Sequence, residues 1–505
     1  MFLTRLYKLA AGSILEYKNY TSTIPVLISI FLGLCYLILP VYIFVPALLL
    51  CGIIILGLIK PEYTFYILVF VLVEEMCNCF INLKQVYVIV IYPYYIPLLA
   101  TVPGIIVRKI ARKEPLVHTP IAFVLWGIVG GEIVSLLWAP VFSLGVWFSV
   151  NIVSNIFLYY VVTNIVVNKK ILRRTVNVFI FAGIVTTTAI MFSQWYDVKH
   201  TIFLNTNTGF QYAFGEQVDR PAGLGGVDHV AGFVSIALFM SLGSMVYESR
   251  WKVKAIYFLL IGYSIYGIIL TASRGVLIGI CSAYLFFVFV HSNFRGKFLR
   301  QTFRAFFLVF FIILVAKPGL IDRMLIGFGY TGTLYFSEKD SYHGTEATTS
   351  SGEGLSGMEM RIIWWKNALR EMTRHPVKMF LGLGTGGFIY YSQGGNTVTS
   401  PEVNSISFAF FYDMGIFGII LLILLLYLIV SNFHYCIKNA KKATKGYSYY
   451  IFLGSMAVLV SEIVIHGLVD YDLNSYGSKY FWFPLGYAMA VLNIVNAETN
   501  DGKIT

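Results

Sequence analysis

Apolar residues in this chain come in long unbroken runs, not in the alternating pattern of half-buried strands. Runs of ~20 such residues are long enough to cross a bilayer core as helices. They predict spans at 24–40, 41–59, 63–83, 86–103, 119–138, 145–167, 175–194, 229–248, 253–271, 275–291, 304–317, 405–431, 448–467 and 479–496. The expected fold is an all-α polytopic membrane protein with about 14 (12–14) transmembrane helices. Two long segments, 195–228 and 318–403, interrupt the series. The second is too long for a plain connector. It is Gly/Ser/Thr-rich over 341–357, and its 358–375 stretch then reads as an amphipathic helix stopped by Pro376. Ile362, Trp365, Leu369 and Met372 make the expected apolar face, and Lys366, Arg370 and Arg374 recur every four residues on another. Such a helix either lies in the membrane–water interface or packs on the end of the bundle. The chain divides into N-terminal helices (1–194), a second membrane region (195–496, including the large loop 318–403) and a short tail (497–505).

Composition agrees with the pattern. The 505 residues are 58% hydrophobic and 12% charged, with a mean hydropathy of +0.75. Soluble domains carry about 25% charged residues, so a soluble enzyme, a disordered chain and a disulfide scaffold are excluded. Cys35, Cys51, Cys77, Cys79, Cys281 and Cys436 show no zinc-site spacing and are expected as buried thiols, with Cys77 and Cys79 on different faces of one helix.

Charge orients the helices. Most of the 37 Lys and Arg residues fall in alternate connections if the N-terminus, with Arg5, Lys8 and Lys18, starts inside. Those connections hold Lys60; Arg108, Lys109, Arg112 and Lys113; Lys169, Lys170, Arg173 and Arg174; Arg250, Lys252 and Lys254; Arg295, Lys297, Arg300 and Arg304; and Lys438, Lys441, Lys442 and Lys445. The short opposite connections hold only Lys84, Arg274 and Lys479. Both termini are therefore expected in the cytoplasm and both long loops outside it. The net charge of +12 is topological and does not indicate nucleic-acid binding.

Candidate chemistry sits at the outer end. No phosphate-cradling loop, dinucleotide fingerprint or HExxH motif is present. The glycine-rich 381–387 segment, Leu-Gly-Leu-Gly-Thr-Gly-Gly, is expected to be a tight re-entry turn. Arg220 lies in Asp-Arg-Pro-Ala-Gly just before a span, Arg274 in a Ser-Arg-Gly turn between two spans, and Arg361 opens the amphipathic helix. An arginine between spans is costly unless it meets water or a partner, and its planar fork matches phosphate oxygens. Glu74, Glu75, Glu132, Asp413 and Glu462 are carboxylates within spans, either proton-relay groups of a carrier or structural partners of polar groups in the bundle. His229, beside Asp228, and His466, four residues before Asp470, suit orienting or capping as well as catalysis.

At these residues the sequence resembles the O-antigen ligase and Wzy-type O-antigen polymerase superfamily of bacterial membrane glycosyltransferases. The pieces arrive in the family's order over about 200–490: Arg220 to Gly223, then Ser273-Arg-Gly275, then Arg361 with Trp365, His375-Pro376 and Gly382-x-Gly384, and after the large loop Asn404-Ser405, nine residues and Gly415-x-x-Gly418. The resemblance implies a GT-C-like transferase that uses neither metal nor cofactor. Its expected donor and acceptor are undecaprenyl-pyrophosphate-linked glycans at the outer face of the cytoplasmic membrane. It makes Arg220 and Arg274 the catalytic grip on the leaving pyrophosphate, with Arg361, Asn404, Arg370, Trp365 and His375 binding substrate. Membrane lipid and a chain-length regulator are the further partners it implies.

One departure from the family pattern matters. Where the ligase pattern has a histidine, this chain has Asn404, and an amide cannot take a proton at neutral pH. That favours a polymerase over a ligase or a protein O-oligosaccharyltransferase. The acceptor's base is then sought at Glu402 first, His229 second and His375 third. A lipid-linked glycan flippase or ion-coupled carrier is the competing class, but carriers commonly show matching halves, and none is evident here.

Overall fold

The computed structural model describes residues 41–72, 79–83, 87–91, 94–195, 211–213, 216–218, 227–271, 273–290, 357–388, 405–440, 446–468 and 479–501. The expected spans at 24–40 and 304–317, the carboxylates Glu74 and Glu75, and most of the two long loops lie outside these residues.

Helices follow the apolar runs: α1 (Val41–Ile59), α2 (Pro61–Val71), α3 (Tyr95–Arg112), α4 (Ala122–Ser135), α5 (Phe142–Ile165), α6 (Lys169–Trp195), α7 (Val227–Tyr247), α8 (Trp251–Thr271) and α9 (Arg274–Val290). After the large loop come α10 (Gly357–Arg374), α11 (Pro376–Leu381), α12 (Ile406–Ala440), α13 (Tyr447–Leu468) and α14 (Lys479–Asp501). Six of these are long and apolar enough to cross a membrane: α5, α6, α7, α8, α12 and α13. The protein is thus an integral membrane protein by helix length and composition, with six such helices among the described residues against the fourteen spans expected.

One expected pair of spans is replaced. The 63–83 and 86–103 runs form the 11-residue helix α2, a hairpin of β1 (Cys79–Leu83) with β2 (Tyr87–Ile91), and then α3. The run Tyr87-Val-Ile-Val-Ile is rich in β-branched side chains, which suit a pleated strand better than a helix. Pro93 then biases the residue before it away from helical angles. Cys79 accordingly opens a strand instead of sharing a helix with Cys77. Of the other expected buried thiols, Cys436 is buried, Cys281 half-buried and Cys51 exposed. A second short hairpin pairs β3 (Gln211–Ala213) with β4 (Glu216–Val218).

The core is built around three helices that are apolar on every side. Residues 230–245 of α7, 448–459 of α13 and 479–492 of α14 are all buried, as expected for helices enclosed by other helices. α7 and α13 cross at two glycines. A methyl group on Gly243 would meet the Tyr450 carbonyl oxygen at 2.6 Å, and one on Gly454 would meet that of Phe239 at 2.6 Å. Small residues at such crossings let backbones approach, the main source of helix association in lipid. The outer helices expose large apolar side chains instead, including Ile55 on α1, Leu259 on α8 and Ile423 on α12.

The helix ends sort into two groups. Basic connections meet at one end: Arg108 at the end of α3 binds Glu62 at the start of α2 (2.8 Å), Lys169 opening α6 lies 3.3 Å from Glu498 of α14, and Arg173 sits over the Tyr447 ring at the start of α13. In the loop after α7, Arg250 hydrogen-bonds Glu248 and holds its carboxyl below the usual range. At the opposite end the starts of α3, α7 and α14 come together with the end of α2, where the Tyr480 hydroxyl donates to the Leu72 carbonyl (3.3 Å).

Candidate functional site

At that second end, two polar constructions flank α5. The first is the glycine-rich turn after α11. Every residue from 382 to 388 is buried, so the segment re-enters the bundle as its composition suggested. Gly382, Gly384 and Gly386 have φ of 83°, 85° and 74°, angles that disfavour any other residue. Three backbone bonds hold the turn: Gly382 N–H to Lys378 O (2.7 Å), Gly387 N–H to Gly384 O (2.7 Å) and Leu383 N–H to Tyr412 O of α12 (2.5 Å). α12 is kinked beside it at Gly415 (φ 64°, ψ −146°), where a side chain would strike the Phe380 carbonyl of α11. Both glycines of the Gly415-x-x-Gly418 motif are sites of close backbone approach, since a methyl on Gly418 would strike the Phe410 carbonyl.

The tip of the turn is fastened to α4. The Thr385 hydroxyl lies 2.7 Å from Glu132 Oε2 and 3.0 Å from the Glu132 carbonyl, and its amide donates to Ser135 Oγ (3.1 Å). The Ser135 and Thr385 hydroxyls also bond to each other. All three residues are buried. Of the carboxylates expected within spans, Glu132 is therefore a structural partner of the turn, and Asp413 is buried next to the kink.

The second construction surrounds a buried lysine. Lys479, the first residue of α14, is 0% exposed and lies between two rings, 5.1 Å from the Tyr94 centroid and 5.0 Å from that of Tyr480. Cation–π contact of this kind compensates part of the cost of taking an ammonium out of water. His229 stacks on the Tyr480 ring, 5.6 Å between centroids. Tyr94 reaches Asn155 of α5 (3.4 Å) and Tyr95 reaches Asn151 (2.5 Å). Buried Glu462 of α13 faces Gly232, one turn along α7 from His229.

The expected site residues fall as follows. Arg220, Glu402 and Asn404 lie outside the described residues. Arg274 opens α9, with two residues between it and the end of α8, and Ser273 Oγ accepts from the Val276 amide as a cap; the Arg274 side chain is outside the described part, as is that of Arg361 in the second turn of α10. Packing of Gly279 on Ser461 and Ile465 joins α9 to α13, one turn from Glu462. The Trp365 ring lies tilted against Phe408 (4.6 Å between centroids) and its carbonyl accepts from the Tyr412 hydroxyl (2.7 Å), so it ties α10 to α12. Arg370 is exposed. His375 is also exposed, 3.9 Å from Glu371, and ends α10 as its His-Pro sequence implied. The Glu371 carboxyl is held below the usual range chiefly by the hydrogen bond from Lys378 (2.6 Å).

Sequence reading missed Lys479, Tyr94, Asn155 and Thr385. The charge pattern marks Lys479 only as a connecting residue, although a lone basic residue immediately before an apolar run, followed by Tyr-Phe-Trp, is a signal for it. The apolar face of α10 also differs from expectation. Trp365, Ala368 and Met372 face the bundle, and Ile362 and Leu369 are exposed (36% and 42%). Ala368 is small enough to let the helix sit against Phe148, Tyr412 and Phe388.

Residues 256–423 match the protein family described as O-Antigen ligase. The resemblance to the O-antigen ligase and Wzy-type superfamily therefore holds over most of α8, α9, the large loop, α10, α11, the glycine turn and the first half of α12, which is narrower than the 200–490 stretch that carries the motifs. This matched segment contains Arg274, Arg361, His375, Glu402 and Asn404 and excludes Arg220, His229 and Lys479. No curated protein shows significant similarity to the chain.

Proposed function

We propose that this protein polymerises lipid-linked oligosaccharide repeat units at the outer face of the bacterial cytoplasmic membrane, for O-antigen, capsule or exopolysaccharide synthesis. The O-antigen ligase family match supports the transferase class, and Asn404 at the ligase histidine position carries the choice of polymerase. Gathering of the basic connections at one end of the bundle supports a cytoplasmic placement of that end and of both termini. The glycine turn and the Lys479 cluster then belong to the outer end.

In this reading a sugar hydroxyl of one lipid-linked unit attacks the anomeric carbon of another. The bond from that carbon to the pyrophosphate oxygen breaks, and undecaprenyl pyrophosphate leaves with the electron pair. Arg220 and Arg274 stabilise the growing negative charge on the leaving group, and Lys479 adds a cation at the same end of the bundle. Glu402 takes the proton of the attacking hydroxyl; His229, stacked on Tyr480, is the second choice. Arg361, Asn404 and His375 orient the glycans.

A deletion strain tests this directly. Without the protein, single repeat units on undecaprenyl pyrophosphate should accumulate facing outward. Long chains still attached to lipid would instead assign the protein as a ligase, and units left facing the cytoplasm would make it a carrier.

A further inference from the structure

We propose that the free faces of α10 form a docking surface for anionic phospholipid headgroups, which holds this helix in the membrane–water interface beside the glycine turn. Around the helix, the positions order into three stripes at 100° per residue. Trp365, Ala368 and Met372 make the stripe packed on Phe408, Tyr412 and Phe148. Ile362 and Leu369 lie on the next, 36% and 42% exposed. Lys366, Arg370 and Arg374 follow on the third, all exposed, with Ile363 (40% exposed) among them.

Location decides what meets those outer stripes. Phe408 and Tyr412 occupy the first two turns of α12, and Phe148 the second turn of α5. Both helices are long and apolar enough to cross a membrane, so α10 is clamped at the level where spans end. α11, which follows directly, also exposes large apolar side chains, Val377 and Phe380 at 66% and 63%. An apolar stripe bordered by a basic one is the arrangement that inserts shallowly at the headgroup boundary.

Charge selects the lipid. Lys366 and Arg370 make no ion pair among the described residues, and Arg374 lies only 3.5 Å from Glu371. Glu371 itself is on the far edge of the helix, held by Lys378. Among the described side chains, that edge therefore presents cations without a carboxylate between them, which matches anionic headgroups. This assignment moves Arg370 from the donor site to the membrane surface, and it stands whatever reaction the protein performs.

The test uses the full-length protein reconstituted in vesicles, with single spin labels at 362, 366, 369 or 370. In phosphatidylglycerol-containing vesicles the labels at 362 and 369 should be relaxed by oxygen more than by a water-soluble nickel chelate. Those at 366 and 370 should show the reverse or near parity. Label 369 should sit measurably deeper in phosphatidylglycerol-containing than in pure phosphatidylcholine vesicles, and the Lys366→Gln, Arg370→Gln, Arg374→Gln triple variant should lose at least half of that difference. Nickel access at 362 and 369 equal to that at 366 would overturn the proposal. So would exclusion of both reagents there, which means a protein cover such as a second copy. Insensitivity of label 369 to phosphatidylglycerol in the wild-type background, or a response to inorganic pyrophosphate alone, would overturn the lipid assignment even if the triple variant fails to fold.

Discussion

The hydroxyl of Thr385 lies 2.7 Å from a carboxylate oxygen of Glu132, joining a loop turn to a helix 253 residues earlier in the chain. Both side chains are buried, 0% and 1% exposed, so the bond forms in a low-dielectric setting where a lost donor is not replaced by water. Thr385→Val keeps the shape and removes the donor. It should destabilise the protein by about 1–3 kcal/mol, seen as a lower melting temperature in detergent. Thr385→Ser should restore most of it, and a Val variant as stable as wild type would remove the bond from the account.

Gly415 should tolerate nothing larger. Gly415→Ala adds backbone strain of about 1–3 kcal/mol and drives its methyl into the Phe380 carbonyl, so folded yield should fall sharply. Gly130→Ala on α4 is the control, because nothing lies within 4 Å of the added methyl, and it should be neutral or slightly stabilising. Equal yields for the two variants would contradict the kink described here.

Lys479→Met separates chemistry from packing. Methionine keeps the chain length, discards the charge and still packs its thioether on the Tyr94 and Tyr480 rings. If the ammonium acts on the donor phosphates, polymer formation should drop about 10- to 100-fold, the value of one charge-assisted bond, with the melting temperature preserved. Full activity would confine Lys479 to holding α3 and α14 together.

For Arg220 and Arg274, replacement by Lys should cost nearly as much as replacement by Ala. Lysine keeps the charge but loses the planar fork that meets two phosphate oxygens at once. Polymer length and amount on gels, at matched protein levels, give the readout. Two Ala variants with normal polymer would take both arginines out of the site.

The Glu371–Lys378 contact predicts a pH-dependent contribution to stability. Its carboxyl titrates below the usual range when folded, with the Lys378 hydrogen bond as the main cause. The contribution is therefore present above the ordinary carboxylate pKa of about 4.3 and is lost as pH falls through the lower folded value. Glu371→Gln should lower stability by ~1 kcal/mol or less near pH 7, and the gap to wild type should close below about pH 4. A gap that persists in acid would mean the side chain acts through packing.

Local sequence was enough to place most helices, because a bilayer-length apolar run has one low-energy backbone and needs no partner to adopt it. It located α5 to α9 and α12 to α14 to within a few residues except for the N-terminal end of α6 and the C-terminal ends of α12 and α14, and it located the amphipathic α10 and the turn at 381–387 whose glycines supply angles other residues avoid. Charge counts likewise sorted the basic connections, now seen clustered at one end. Tertiary structure alone decided which stripe of α10 is buried, since Ile362 and Leu369 are as apolar as Met372, yet Trp365, Ala368 and Met372 are the ones that join Phe148 and Tyr412 in one cluster. It also decided that the 79–91 run makes a hairpin, that Glu132 serves Thr385, and that Lys479 lies between Tyr94 and Tyr480. Each of these depends on a partner far away in the chain, and a buried polar group settles wherever folding delivers a donor, an acceptor or a ring face to it.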